Sequence, residues 1–169
     1  MTKRIYLAHP ISTVGEFIDS KRVANELRAL GYEVYVASEN DSINDKSNDP
    51  TPIDIYEGDI SEIMKADIFV VNVTGGLQSG TDSEIGHVSG WNEMLEAVRP
   101  LSKSWGVELV DAKPIYAYTS NARLLQPQFS DGMASASINH LIKGMIDRWG
   151  EWLGDEQTML KRMRELLHD

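Results

Sequence analysis

The chain has 169 residues, 41% of them hydrophobic and 25% charged, the make-up of one globular domain that can bury a core without disulfides or metals. It has no cysteine, which excludes disulfides, thiolate nucleophiles and Cys-based zinc sites. A formal net charge of −10 repels polyanions, so nucleic-acid polymers and anionic membranes are not expected partners, and a small substrate of little charge is.

In chain order, Lys3–Ala8 reads as a short buried strand stopped by Pro10. Ile5–Ala8 is too short for a signal-peptide core, and no run approaches ~18 apolar residues, so a cytoplasmic protein with no membrane span is expected. A helix is predicted from about Gly15 to Leu30, where Phe17, Val23, Ala24, Leu27 and Leu30 recur at helical spacing and Gly31 ends it. Glu33–Ala37 reads as a second strand. Residues 38–52 are rich in Ser, Asn, Asp and Pro and read as a long loop, the kind that serves as a lid or binding loop. A helix over Ile53–Lys65 and a β-branched strand over Ile68–Val73 follow. Thr74–Thr81 reads as a loop leading to a helix that starts at Asp82 or Ser83, and Pro114–Tyr118 as a fourth strand. An amphipathic helix at about 155–167 closes the chain, with Asp155 as N-cap and a stripe of Met159, Leu160, Met163, Leu166 and Leu167 for core packing or a subunit contact.

Strands alternating with helices mean an α/β fold, a doubly wound (flavodoxin-like or Rossmann-like) parallel sheet with helices on both faces. No repeat or linker divides residues 1–169, so a single domain is expected. Ligands of such sheets bind outside the carboxyl ends of the strands, so the loops after Ala8, Ala37, Val73 and Tyr118 should line one pocket.

Ser79-Gly80-Thr81-Asp82-Ser83-Glu84-Ile85-Gly86-His87 holds the densest chemistry. Gly80 and Thr81 would sit at a helix entrance with unpaired N–H groups, and Glu84 in the first turn, where the helix dipole keeps it ionised. A plain capped helix explains the same residues. Asp59 borders the buried face made by Tyr56, Ile60 and Ile63, and is either a second pocket carboxylate or a solvated one. Asp67 is the poorer candidate, since it ends a helix before a strand. Two carboxylates in one cleft suit glycosyl chemistry, one attacking the anomeric carbon and the other managing protons. The four histidines (His9, His87, His140, His168) lack H-x-x-x-H spacing, so no zincin-type metal site is expected. Trp91, Trp105, Trp149 and Trp152 fit packing better than base stacking.

Tyr6, Asp59, the Gly80–Gly86 stretch with Glu84, and Ser137-Ile138-Asn139-His140-Leu141 together resemble the nucleoside 2-deoxyribosyltransferase family, over about residues 4 to 147. The G-T-x-x-E-I-G piece is the most specific element of the resemblance. The resemblance implies a doubly wound α/β fold, a deoxynucleoside and a free nucleobase as substrates, no metal or organic cofactor, and homo-oligomers with active sites shared between subunits. It makes Glu84 the nucleophile that forms a covalent deoxyribosyl-enzyme, Asp59 the assisting carboxylate, and Tyr6 the hydroxyl that orients the nucleophile. It gives Asn139 to a neighbour's sugar, with Leu141 in place of an apolar residue beside it. One of Glu39, Asn40 and Asp41 stands where the family uses a polar residue near base or sugar.

Gln78 departs from the pattern. Many transferases carry an Asp there, six residues before the nucleophile, against the base. Glutamine hydrogen-bonds but cannot give up a proton as an acid. Related nucleotide N-hydrolases also lack that Asp, but resemble one another in a phosphate-binding first loop with Ser and Arg. Here that loop, His9–Gly15, has hydroxyls and no Arg. The Gly75-Gly76…Gly80-Thr81…Glu84 pattern also loosely resembles phosphoribohydrolases of the lysine-decarboxylase-like fold. Three readings therefore stand: a transferase, a hydrolase of deoxynucleosides or nucleoside 5′-monophosphates, and a nucleoside-binding module without catalysis.

Overall fold

The computed structural model describes residues 2–75, 78–125 and 137–168. Its strands are β1 (Arg4–Ala8), β2 (Glu33–Val36), β3 (Ile68–Asn72), β4 (Ile115–Tyr118) and β5 (Gly150–Gly154). All neighbours pair in parallel, in the order β2-β1-β3-β4-β5. The arrangement is the doubly wound sheet that the strand–helix alternation implies. β3 and β4 are buried at every residue, as the central strands of a sheet covered on both faces must be.

The pleat sorts the strand side chains into two cores. On one face, Ile5, Leu7, Val34, Val36 and Val70 pack against α1 (Val14–Ala29), through Val23 and Leu27, and against α7 (Glu156–Glu165), through Met159 and Met163. On the other face, Tyr6, Ala8, Phe69, Val71 and Ala117 meet Ile63 of α3 (Pro52–Lys65), Ile85 and Val88 of α4 (Ser79–Ser104), and Ile146 of α6 (His140–Trp149). Ile85 and Val88 are fully buried, and each such burial contributes ~1.5–3 kcal/mol to seating α4 on the sheet. Two short helices, α2 (Asp41–Asn44) and α5 (Ala122–Leu125), lie between the longer elements.

Local chemistry sets the helix ends. Thr13 and Glu16 form a reciprocal capping box at α1, and Thr51 and Asp54 form another at α3. Gly31, at φ +109, turns the chain from α1 into β2. Asp155 caps α7 by accepting from the Thr158 N–H. That helix stops at Glu165, so Leu167 falls outside the buried stripe and is 37% exposed.

Two expectations need correction, and one strand was not expected. Residues 38–52 are not a plain loop: 3-10 turns at Ala37–Glu39 and Lys46–Asn48 flank α2, whose first N–H groups Asn40 caps. α4 starts at Ser79, three residues before Asp82, because Thr81 is buried and Gly80 sits in a first turn where low helix propensity costs little. β5 has no counterpart in the sequence reading. Its residues are all half-buried, and a Cβ on Gly150 would overlap the Ile115 carbonyl of β4, so only glycine allows that approach.

Candidate active site

The chain winds from β1 to β2 on one side and crosses to β3 on the other, which leaves a crevice between the carboxyl ends of β1 and β3. A cavity of about 210 Å³ fills it, lined by the β1 loop (His9, Pro10, Ile11, Ser12), by Ala37 after β2, by Asp59, and by Gln78, Gly80, Thr81 and Glu84 among the residues of the β3–α4 junction. A second cavity of about 240 Å³ adjoins it, lined by Tyr56, Ile60, Ser83 and His87. Asp59, Gly80 and Glu84 belong to both linings and so form the wall between the two cavities. Three of the four expected loops contribute; among the described residues, none of the loop after β4 is in the lining. A larger cavity, about 520 Å³, lies at the opposite end of the sheet, against the residues that enter β3 and β4. It takes in Trp91 and Asp67, the carboxylate whose Oδ2 accepts the Arg4 N–H. The carboxylate pair is not there, and doubly wound folds bind ligands at the other edge.

Glu84 reaches the crevice from the second turn of α4. Its Oε1 accepts a hydrogen bond of 2.5 Å from the Tyr6 hydroxyl. Tyr6 projects from β1 into the core beneath α3 and α4 and is 1% exposed. Removing Glu84 from water pushes its carboxyl up to about 7; the Tyr6 hydrogen bond lowers it and the nearby Asp59 charge raises it further. The expectation that the helix dipole would hold Glu84 ionised is therefore corrected. The dipole acts mainly within the first turn, Glu84 stands six residues into the helix, and desolvation dominates.

Asp59 arrives from α3, and its Oδ1 accepts from the Tyr35 hydroxyl at 3.2 Å. Burial raises its carboxyl above the ordinary value, and the Tyr35 hydrogen bond pulls the other way. Burial followed by the charges of Glu84 and Asp59 drives the Tyr6 phenol far above its usual value, and burial first pushes Tyr35 to about 12. Both tyrosines thus stay neutral donors throughout the range in which the carboxylates titrate.

The remaining candidates divide. Gln78 lines the cavity as the residue before α4, but its amide turns back to its own loop: Nε2 donates to Thr74 Oγ1, and Oε1 accepts from the Thr74 N–H at 3.4 Å. No side chain caps α4, so the turn at Ser79, Gly80 and Thr81 faces the cavity uncapped. Asn139 caps α6, its Oδ1 accepting the Leu141 N–H at 2.8 Å, and neither Asn139 nor Leu141 lines either cavity; Leu141 is 68% exposed. Glu39 is paired with Arg28, and Asn40 with Tyr35, so neither lines the crevice. Gly75 bends at φ +70 against the Ser137 carbonyl, which brings the β3 loop beside the segment that leads to Asn139; Gly76 lies outside the described residues. Of the tryptophans, Trp149 and Trp152 pack on the core, Trp105 is 73% exposed, and none lines the crevice.

Sequence reasoning missed two polar contributors, Tyr35 and His9. Strand register signals the first, since Tyr35 stands opposite Tyr6. His9 is buried beside the crevice: Nδ1 lies 2.7 Å from the Pro10 carbonyl, and Nε2 lies 2.9 Å from Asn72 Nδ2 and 3.3 Å from Asp19 Oδ2. Among the described residues, no group of three or more His, Asp or Glu is arranged to hold a metal ion, and no helix is long and apolar enough to cross a membrane.

No protein-family model matches the chain, and no curated protein matches it. Among solved structures, a conserved protein from Enterococcus faecalis V583 is similar over 98% of this chain and 99% of its own, with a TM-score of 0.70 and 20% identity. A 2-deoxyribosyltransferase from Bacillus psychrosaccharolyticus is similar over 77% of this chain and 82% of its own, with a TM-score of 0.42 and 19% identity. The chain shares its α/β fold, end to end, with the Enterococcus faecalis protein.

Proposed function

We propose that the chain is a nucleoside 2-deoxyribosyltransferase that passes 2-deoxyribose between nucleobases through a covalent sugar on Glu84. The observation that supports the reading most is the carboxylate pair: Glu84, held by Tyr6, and Asp59, held by Tyr35, face the same two cavities at the switch point of the sheet. The resemblance of Gly80–Gly86, Tyr6, Asp59 and Asn139 to that family gives the sugar and the reaction.

Ionised Glu84 attacks C1′ of the deoxynucleoside, with Oε1 engaged by Tyr6. The C1′–N bond breaks, its electron pair stays on the base nitrogen, and the base takes the one proton that the carboxylate pair holds, a transfer this reading assigns to Asp59. The intermediate is a deoxyribosyl ester of Glu84. An incoming base then attacks C1′ with its nitrogen lone pair, the ester C1′–O bond breaks, and Asp59 takes the proton back. A buried carboxyl with a raised affinity for protons suits Asp59 to both halves. The missing 2′-hydroxyl eases the oxocarbenium-like transition state, which favours deoxy substrates. Neither cavity is lined by Lys or Arg among the described residues, so a 5′-phosphate would find no cation there. In the same reading the chain is a cytoplasmic homo-oligomer, and Asn139 serves the sugar of a neighbouring subunit.

One observation favours hydrolysis instead: the Gln78 amide is committed to Thr74 and not to an incoming base. A base held by stacking and hydrogen bonds has a high effective concentration and excludes water; a poorly held one loses the intermediate to water. Product partitioning at saturating acceptor base decides. The transferase reading expects new nucleoside to exceed free deoxyribose. Dominant deoxyribose across purine and pyrimidine acceptors would make the chain a hydrolase, and binding without turnover a nucleoside-binding module. A sugar adduct trapped on any residue but Glu84, or more than about a tenth of the activity surviving Glu84→Ala, would overturn the nucleophile.

A further inference from the structure

Tyr6 of β1 and Tyr35 of β2 stand in register and stack, with ring centroids 5.2 Å apart and planes 28° apart. Each hydroxyl serves one carboxylate, Tyr6 for Glu84 and Tyr35 for Asp59. Behind Tyr35 stands Asn40, whose Nδ2 donates to the Tyr35 hydroxyl oxygen at 3.0 Å. The other end of that amide is already used: Oδ1 accepts from the Ser42 N–H at 3.1 Å and from its Oγ at 2.5 Å, as the N-cap of α2. Capping therefore fixes which end of the amide faces Tyr35. A phenol has one proton, and with its oxygen accepting from Asn40 it gives that proton to Asp59.

We infer that Tyr35 and Asn40 are positioning residues for Asp59: the directed chain Asn40→Tyr35→Asp59 keeps Oδ1 an acceptor and leaves Oδ2 as the oxygen that releases and recovers the proton. The catalytic meaning of this chain rests on the glycosyl-transfer reading; the direction of its hydrogen bonds does not. The polar segment after β2 thereby acquires a role. It reaches the crevice through Asn40, without lining it.

Among the described residues, the groups that face this chain are few. Glu84 of α4 and Tyr6 of β1 act on Asp59 or share its field, and His9 and His87 border the cavities that Asp59 lines. Glu62, one turn along α3, faces Tyr35 but is paired with Arg4 and Lys65. None of these donates to Asp59 Oδ1 in place of Tyr35.

The test is a carbon-13 carboxyl titration of Asp59 in the whole protein, for wild type, Tyr35→Phe and Asn40→Asp. Aspartate keeps an acceptor for the Ser42 N–H, so the cap of α2 survives, but it replaces the amide donor with an acceptor that draws the Tyr35 proton away from Asp59. Losing a hydrogen bond that favours the carboxylate should raise the Asp59 midpoint by about one pH unit in each single variant. The double variant should add little, because both changes break the same chain. The Glu84 midpoint should move far less. In the enzyme assay each variant should lower kcat about tenfold while KM stays within about twofold, the pattern of a lost transition-state contact. An Asp59 midpoint unmoved in both variants overturns the inference; one that moves only in Tyr35→Phe removes Asn40 from it. If the midpoints move as expected and no nucleoside is cleaved, the positioning chain stands and the glycosyl-transfer reading falls.

Discussion

At Glu84 two effects oppose each other. Loss of water favours the neutral acid, while the Tyr6 hydroxyl favours the carboxylate, and the balance stands at about 7. The proposed role of Glu84 as nucleophile needs the ionised form, so on that reading the Tyr6 bond supports reactivity. Because two carboxylates share the crevice, their protons leave in coupled steps. An Asp59→Asn background removes that coupling. There the residual rate should rise with pH through a single midpoint at or somewhat below 7, since the Asp59 charge is one of the influences that raise Glu84. Adding Tyr6→Phe should move the midpoint up by about one unit, the worth of a hydrogen bond to a charged group. A midpoint at 4–5 in either variant would refute the account. The same proton bears on stability. The folded protein holds it from the ordinary 4.5 up to about 7, so Glu84 costs stability progressively as pH rises through that window. Glu84→Gln keeps an acceptor for Tyr6 and removes the charge. Its advantage over wild type in urea unfolding should grow by on the order of 2–3 kcal/mol between pH 4 and pH 8. A constant difference across that range would mean that Glu84 is not desolvated.

Among the elements, α4 links the crevice to the far end of the sheet. Ile85 and Val88 seat it near Glu84, and Asn92, fully buried, anchors it further along. The Asn92 side chain donates to the Lys113 carbonyl and accepts the Lys113 N–H, both at 2.8 Å, so it completes the backbone pairing of the residue that leads into β4. Asn92→Ala leaves both groups buried without partners, which should destabilise the protein by about 2–4 kcal/mol in urea unfolding. Since the contact lies at the amino end of the strands, KM at a permissive temperature should hold. A loss below about 1 kcal/mol would show that water replaces the amide. The elements most legible in the sequence were those whose burial is written as periodicity: the apolar runs of β1 and β3, and the helical repeats of α1 and α3. β5 was not legible, because Gly-Glu-Trp-Leu-Gly at a half-buried edge carries neither an apolar run nor an alternation. α6 did carry a signal, with Ile142, Ile146 and Trp149 at helical spacing behind an Asn cap, but Gly144 interrupts it. In the crevice, residue type and spacing offered Glu84 and Asp59 as candidates beside a plain capped helix and a solvated carboxylate, and the family resemblance singled them out. Tyr35 could not, because its partnership with Tyr6 exists only once β1 and β2 are in register, a long-range fact that no local window contains.

At the scale of the whole molecule, the open question is whether one chain makes a complete site. Tyr6, Asp59, Gln78, Gly80, Thr81 and Glu84 converge within the chain, whereas Asn139 and Leu141 stay outside both cavities, with Leu141 exposed to solvent. Asn139 lines neither cavity, which fits the proposed arrangement in which it serves the sugar of another copy. Asn139 also caps α6, so removing its side chain confounds capping with sugar binding. Asn139→Asp separates the two. Aspartate still accepts the Leu141 N–H and keeps the cap, but it loses the amide donors that a sugar hydroxyl would use. Asn139→Asp should therefore fold as wild type does while losing most activity through a raised KM. Mixed with inactive Glu84→Ala, it should regain activity. In randomly reassorted pairs half the molecules are mixed, one of the two sites in each is intact, and recovery should approach about a quarter of the wild-type rate. Recovery should require subunit exchange, appearing only after dilution and reassociation or mild denaturation and refolding together. A wild-type chain fully active as a monomer at the assay concentration, or Asn139→Asp with unaltered kinetics, would show instead that the site is complete within one chain.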